Sequence, residues 1–332
     1  MPIKVAVVGA GSWGTTVAHL AAHNTPTVLW SRRKELADQI NVEHVNGDYL
    51  PQYTLHRDLE STSSMPDAVC SADVVVMGVP SHGFRETLEQ VADCIRPWVP
   101  VVSLTKGLEA GTRMRMSEVV HEVLPGHPVA VLTGPNLAKE ILAGHAAAAV
   151  VAMADDYVSS ELQRVFATNV FRVYINRDVI GSEVGGVLKN VIAIASGMAD
   201  GLGTGDNTRA AVITRGLAEI TRLGVALGGE EMTFAGLAGM GDLIATCISP
   251  QSRNRSVGEQ LGKGRTIDEI IADMKQVAEG VKSCRTVLDL ADDHGVEMPI
   301  VSEVVACVHE GRTAAEAYRG LLQRNVSHEH HS

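Results

Sequence analysis

Lys189 lies in a run, Val179–Asp200, whose apolar residues recur at helical spacing. At about 100° per residue, Ile180, Val184, Val187, Leu188, Val191, Ala195 and Met198 share one stripe. Lys189 falls opposite them, among Ser182, Gly185, Gly186, Ala193 and Ser196. A solvated helix face carries several charged side chains; this one carries a single cation among small groups that let a backbone or a ligand come close. An ammonium enclosed in that way loses hydration and its pKa falls toward neutrality, as a general base requires. The alternative is a plain surface lysine.

Four further segments carry polar chemistry at places where ligands collect. Lys106 in Thr105-Lys106-Gly107 follows the apolar run Val101–Leu104, and Gly134-Pro135-Asn136 follows Val129–Leu132. Both sit at the carboxyl ends of expected parallel strands, the ligand-binding edge of doubly wound sheets. Asp242 and Thr246 are four apart, on one helical face, and a carboxylate next to Lys189 would orient and tune its ammonium; the plainer reading is a salt bridge. Ser252-Arg253-Asn254-Arg255 packs hydroxyl, guanidinium and amide donors into four residues. With 28 Lys plus Arg against 39 Asp plus Glu, the net charge of -11 repels nucleic acid and anionic lipid, so an anionic ligand needs a local cluster of this kind.

The amino terminus places Gly9-Ala10-Gly11-Ser12-Trp13-Gly14 between an apolar run, Ile3–Val8, and a helical stretch, Thr15–Ala22. Strand, glycine turn and helix in this order form a dinucleotide-binding fingerprint: Gly9 makes the turn, Gly11 lets the backbone approach a pyrophosphate, and Gly14 lets helix and strand pack. An NAD-selective turn is usually followed about 20 residues on by an acidic group for the ribose hydroxyls. Here Ser31-Arg32-Arg33 stands instead, and two guanidiniums suit a 2′-phosphate, so NAD or NADP is expected. Alternatively one arginine stacks on adenine while the other faces water.

Those residues need a framework of two domains. Thr27–Trp30, Val74–Val79, Val99–Leu104 and Ala147–Met153 join the runs above as strands alternating with helices, which predicts a mostly parallel, doubly wound Rossmann-type sheet over residues 1–178. After Asp178 the strand-like runs cease, and Arg209–Leu223, Ser256–Leu261, Glu279–Asp293 and Val301–His309 read as helices of an all-helical domain, 179–332. The five cysteines are scattered without a Cys-x-x-Cys pair, which suggests neither a disulfide framework nor a zinc site and fits a reducing, cytoplasmic setting. No metal site is expected: His19 and His23 lack a third ligand, and the tail His328-Glu329-His330-His331 reads as a solvated end. The longest apolar run, Ala146–Ala154, falls far short of the ~20 residues of a membrane span.

Taken in order, Gly9–Thr15, Asp48-Tyr49-Leu50-Pro51, Lys106-Gly107, Gly134-Pro135-Asn136, Lys189-Asn190, Gly241-Asp242-Leu243, Ser252–Arg255 and Glu279-Gly280 resemble the bacterial type of NAD(P)-dependent glycerol-3-phosphate dehydrogenase, over almost the full length. Beyond the three glycines, the resemblance implies cofactor contacts at Ser12, Trp13, Arg32, Arg33, Tyr49, Lys106, Ala138, Arg253, Val277 and Glu279. It implies substrate contacts at Lys106, Gly134, Asn136, Asp242, Ser252, Arg253 and Asn254. Lys189 would be the catalytic base, with Asn190, Asp242 and Thr246 around the reacting end. A homodimer, a small phosphorylated substrate and a supply of glycerol 3-phosphate to phospholipid synthesis follow from the same resemblance. Asn46-Gly47-Asp48-Tyr49 departs from the family's frequent Asn-Pro-x-Tyr and puts the loop conformation at Tyr49 in question. A hydroxyacid dehydrogenase of the same architecture and a cofactor-binding regulator without catalysis are the alternative readings.

Overall fold

The computed structural model describes residues 3–274 and 278–323. Ten strands are present among them: β1 (Val5–Val8), β2 (Thr27–Trp30), β3 (Val45–Asn46), β4 (Leu50–Thr54), β5 (Leu59–Thr62), β6 (Val74–Met77), β7 (Val101–Ser103), β8 (Val129–Thr133), β9 (Ala147–Ala152) and β10 (Phe171–Asn176). Eight of them form one sheet in the order β10-β9-β8-β7-β6-β1-β2-β5, while β3 and β4 make a separate antiparallel pair. Helices alternate with the sheet strands, and neighbours pair parallel except β8 with β9. There the chain leaves β8 at Gly134, whose φ of +134° favours glycine, and the short helix Ala138–Leu142 does not carry it back across the sheet.

Strand periodicity explains the two-sided core. Val5 and Val7 enter one apolar cluster with Val17, Leu20, Phe166 and Phe171, while Ala6 and Val8 enter another with Val69, Phe84, Leu88 and Met116. Alternate residues thus face opposite layers, which is why β1 reads as an unbroken apolar run. The expected strands all form. β10 was not anticipated, although its alternation of buried Phe171 and Val173 with exposed Arg172 and Tyr174 carries the period-two signal of an edge strand.

By compactness, one unit comprises the chain up to Gly186 with Gly229–Asp242, and the other comprises Val187–Gly228 with the residues from Leu243 on. Asp178, the expected boundary, instead caps the start of the helix Val179–Gly201, accepting the N–H of Gly181 (2.8 Å). Gly229–Asp242 joins the first unit because Leu237 and Ala238 pack with Val131, Val150 and Ala152 on the sheet. Helical periodicity marks a helix but not the body it packs on.

The helix Val179–Gly201 is buried all round from Gly181 to Ala199, rather than along one stripe. Its length and apolar content match a membrane span, yet 89% of that stretch is buried inside the protein, the mark of a core helix. In the second unit its backbone touches that of the helix Arg253–Gly262: a Cβ on Gly197 would collide with Arg255 O, one on Gly201 with Glu259 O and one on Gly258 with Ile194 O. Small residues on both helices make this approach possible.

The first unit also gathers three histidines. His19, on the helix Ser12–Ala22, and His23 at that helix's end meet His56 from the β4–β5 connection, with ring centroids of His23 and His56 4.3 Å apart. His56 N–H donates to His19 Nδ1 (2.9 Å), which leaves His19 Nε2 as the N–H facing His23 Nε2 at 3.4 Å. The third histidine that the spacing lacked is supplied by the fold, in a network that needs neutral rings. Burial first, then the neighbouring His23 and His56, push His19 down to about 4, and burial and His56 lower His23. The folded state therefore binds fewer protons than the unfolded chain between pH 4 and 6.5, so this contribution is present at pH 7 and lost as pH falls through that window. Urea unfolding should show stability falling from pH 7 to pH 5, less steeply in His19→Gln; equal slopes would remove the cluster as the cause.

Candidate functional site

The glycine turn is built by contacts that only glycine allows. Gly9 has φ +119°, and a Cβ there would fall 2.7 Å from Gly78 O at the end of β6. A Cβ on Gly14 would overlap Gly9 O, so helix and strand are in backbone contact. Gly11 differs: nothing lies within 4 Å of its Cβ position, and its φ of -73° is open to any residue. Gly11 is also the N-cap of the helix Ser12–Ala22; no side chain caps that end and no acidic residue occupies its first turn. The N–H groups of Ser12, Trp13 and Gly14 thus open the helix beside empty space, the arrangement that binds a pyrophosphate. Trp13 packs edge-on against Phe171 at 6.3 Å, and its Nε1 is buried without a partner among the described residues.

Asn46 organises the rim of this turn, a role that its position in the sequence does not disclose. Its buried amide donates to Ala10 O (3.0 Å) and Thr15 Oγ1 (2.8 Å), and its Oδ1 accepts the N–H of Tyr49 (3.2 Å). Gly47 has no positive φ; its N–H donates to Gln39 Oε1 (3.2 Å), a bond that proline could not make. The departure from Asn-Pro-x-Tyr therefore exchanges a fixed φ for a hydrogen bond, and Tyr49 stays half-exposed at the end of the loop. Arg32 and Arg33 are both exposed after β2, and Arg33 pairs with Asp48 of that loop.

A second cluster forms in the same unit at the carboxyl ends of β7 and β8. Lys106 Nζ donates to Asp242 Oδ2 (2.7 Å) and to Gly134 O (3.1 Å). Asp242 is 1% exposed and opens the helix Asp242–Ile248 directly after a π-helical turn, Leu237–Gly241. Both charges are largely out of water, where an unpaired ion would cost several kcal/mol. Asn136 contributes Oδ1 and Nδ2, and Thr133 contributes Oγ1, all buried without a partner among the described residues. Ala138 opens the short helix that follows.

In the second unit Lys189 is 5% exposed, and its Nζ donates to Thr246 Oγ1 (2.8 Å). Asn254 Nδ2 donates to Asn190 Oδ1 (2.9 Å), and Asn254 Oδ1 accepts Gly280 N–H (2.9 Å), so one amide ties three helices together. Ser252 is the N-cap of the helix Arg253–Gly262, its Oγ accepting Arg255 N–H (3.2 Å). Of the two arginines in that cluster, Arg255 is turned inward to Asp200 and Glu259, which leaves Arg253 as the exposed cation. Glu279 opens the helix Glu279–Asp293, and Val277 lies outside the described residues.

The expected dinucleotide can be tested against these features. A bare helix N-terminus, free volume over Gly11 and an orphaned indole N–H fit a pyrophosphate and its attached groups, and two exposed arginines follow at the ribose end. A doubly wound sheet carrying this turn, joined to helices that hold a buried lysine, defines a dinucleotide-dependent oxidoreductase. Comparison with known proteins is specific. The model of the NAD-dependent glycerol-3-phosphate dehydrogenase N-terminus matches residues 4–159, and that of the C-terminus matches 178–319. Glycerol-3-phosphate dehydrogenase [NAD(P)+] 2 of Sphingopyxis alaskensis is 60% identical over 331 residues, covering 100% of this chain and 99% of that protein. Glycerol-3-phosphate dehydrogenase [NAD(P)+] of Mycobacterium avium is 56% identical, covering 99% of this chain and 96% of that protein. The crystal structure of the Coxiella burnetii glycerol-3-phosphate dehydrogenase superposes with a TM-score of 0.92 at 38% identity, covering 97% of this chain and 99% of that one. The chain belongs to the NAD-dependent glycerol-3-phosphate dehydrogenase family.

Two glycines of one motif should therefore fail differently. Gly11→Val should fold with an unchanged melting temperature and lose dinucleotide binding, read by NADH or NADPH fluorescence titration. Gly14→Val should unfold at lower temperature, because its side chain would displace backbone rather than solvent. Retained dinucleotide affinity in folded Gly11→Val would exclude the turn as the binding site.

Proposed function

We propose that this enzyme interconverts sn-glycerol 3-phosphate and dihydroxyacetone phosphate with NAD or NADP, with Lys189 as the general base. The observation that carries the reading is a lysine amine withdrawn from water and oriented by a hydroxyl, 2.8 Å away on Thr246, in a chain of this family. When bound, the nicotinamide takes up or returns the C2 hydride. Lys189 takes the proton of the C2 hydroxyl during oxidation and gives it back during reduction. This step needs the neutral amine. Arg253 meets the substrate phosphate, and the amides of Asn190 and Asn254 brace the surrounding backbone. Substrate contacts at Lys106, Gly134, Asn136 and Asp242 rest on the family resemblance.

Arg32 and Arg33 support acceptance of NADP next to NAD, since Arg33 is held by Asp48 while Arg32 is exposed. All five cysteines are free thiols, which supports a reducing, cytoplasmic site of action. A homodimer and a supply of glycerol 3-phosphate to phospholipid synthesis rest on the family resemblance.

Lys189→Met should lower kcat by about 10²–10⁴-fold with dinucleotide affinity retained; normal turnover would sink the assignment. For Arg253→Ala, steady-state reduction of dihydroxyacetone phosphate should show mainly a raised KM. An unchanged KM would place the phosphate elsewhere.

A further inference from the structure

Thr133, the last residue of β8, has a side chain that the fold leaves without work. It is 1% exposed, and its Oγ1 has no hydrogen-bond partner among the described residues. Leaving a buried hydroxyl unpaired costs about 1–3 kcal/mol, and native structures contain few such groups without a reason. Three residues on, Asn136 leaves both polar atoms of its amide in the same condition. Unmet polar atoms so concentrated at the carboxyl end of one strand point to a ligand.

The surroundings say which part of a ligand. A Cβ on Gly186 would lie 3.2 Å from Thr133 Oγ1 and 3.5 Å from Lys106 Cγ. The hydroxyl and the lysine stem therefore meet at Gly186, where even a methyl group would crowd them. Lys106 is opposed there by Asp242 at 2.7 Å, so this corner has no surplus positive charge to hold a dianionic phosphate. A hydroxyl both donates and accepts, whereas an ammonium only donates.

We propose that the Thr133 hydroxyl is a substrate contact, held for an uncharged oxygen of the three-carbon substrate, to which it donates a hydrogen bond. This rests on the function proposed above. It adds a specificity-determining residue on the non-phosphate part of the molecule.

The near-isosteric Thr133→Val and the conservative Thr133→Ser separate this from a structural role. Deleting a hydroxyl that has no partner among the described residues should leave the melting temperature of Thr133→Val unchanged or raised. Its KM for dihydroxyacetone phosphate should rise about tenfold, the value of one hydrogen bond of about 1.4 kcal/mol. Dinucleotide affinity should stay constant, and Thr133→Ser should restore the KM. A lowered melting temperature in Thr133→Val would reveal a structural bond and overturn the proposal. So would a loss confined to NADH or NADPH affinity, which would hand the hydroxyl to the cofactor. Wild type is assayed alongside: an active wild type with kinetically indifferent Thr133→Val overturns the hydroxyl's role alone, and an inactive wild type overturns the functional reading with it.

Discussion

A carboxylate with 1% of its surface exposed has to find a cation, and Asp242 finds Lys106, 136 residues away in the chain. Either charge alone at that depth would cost several kcal/mol, so the pair fixes the segment Gly229–Asp242 against the carboxyl ends of β7 and β8. The same ammonium holds Gly134 O, which fixes the exit of β8 and with it Thr133 and Asn136. A single buried ion pair thereby helps decide where the unsatisfied polar atoms of Thr133 and Asn136 stand. It also leaves them beside a charge-balanced pair.

Backbone contact at glycine is the second constraint, and it serves two ends. At Gly14, and where Gly197 and Gly201 meet the helix Arg253–Gly262, a missing Cβ is filled by another backbone, so these positions are architecture. At Gly11 the missing Cβ leaves space at the opening of a helix, whereas a Cβ on Gly186 would crowd Thr133 Oγ1 and the Lys106 stem. One residue type thus closes the fold in some places and leaves it open in another. The distinction depends on what stands opposite, and a motif does not record that.

Amide side chains do comparable work over longer separations. Asn46 links the loop before Tyr49 to the glycine turn, and Asn254 links the helix carrying Lys189 to those that begin near Arg253 and Glu279. In the four-residue donor cluster, Arg255 is consumed by Asp200 and Glu259 while Arg253 stays exposed. The cluster looks uniform in the sequence because spacing does not tell which side of a helix faces an internal acid.

The amino-acid sequence by itself determined the features that depend on near neighbours. These are the alternation of strands and helices, the strand–turn–helix context of Gly9, Gly11 and Gly14, and the helical placing of Lys189 among small residues. Each follows from local backbone sterics and side-chain periodicity, which act over a few residues. Only the tertiary structure decided the partners: Lys106 for Asp242, Thr246 for Lys189, Asn46 for the turn, His56 for the His19–His23 pair, and no partner among the described residues for Thr133. Those outcomes turn on which loops meet across tens to more than a hundred residues, and they are set by the hydrogen-bonding and charge demands of buried groups. Such demands exist only once the core has excluded water.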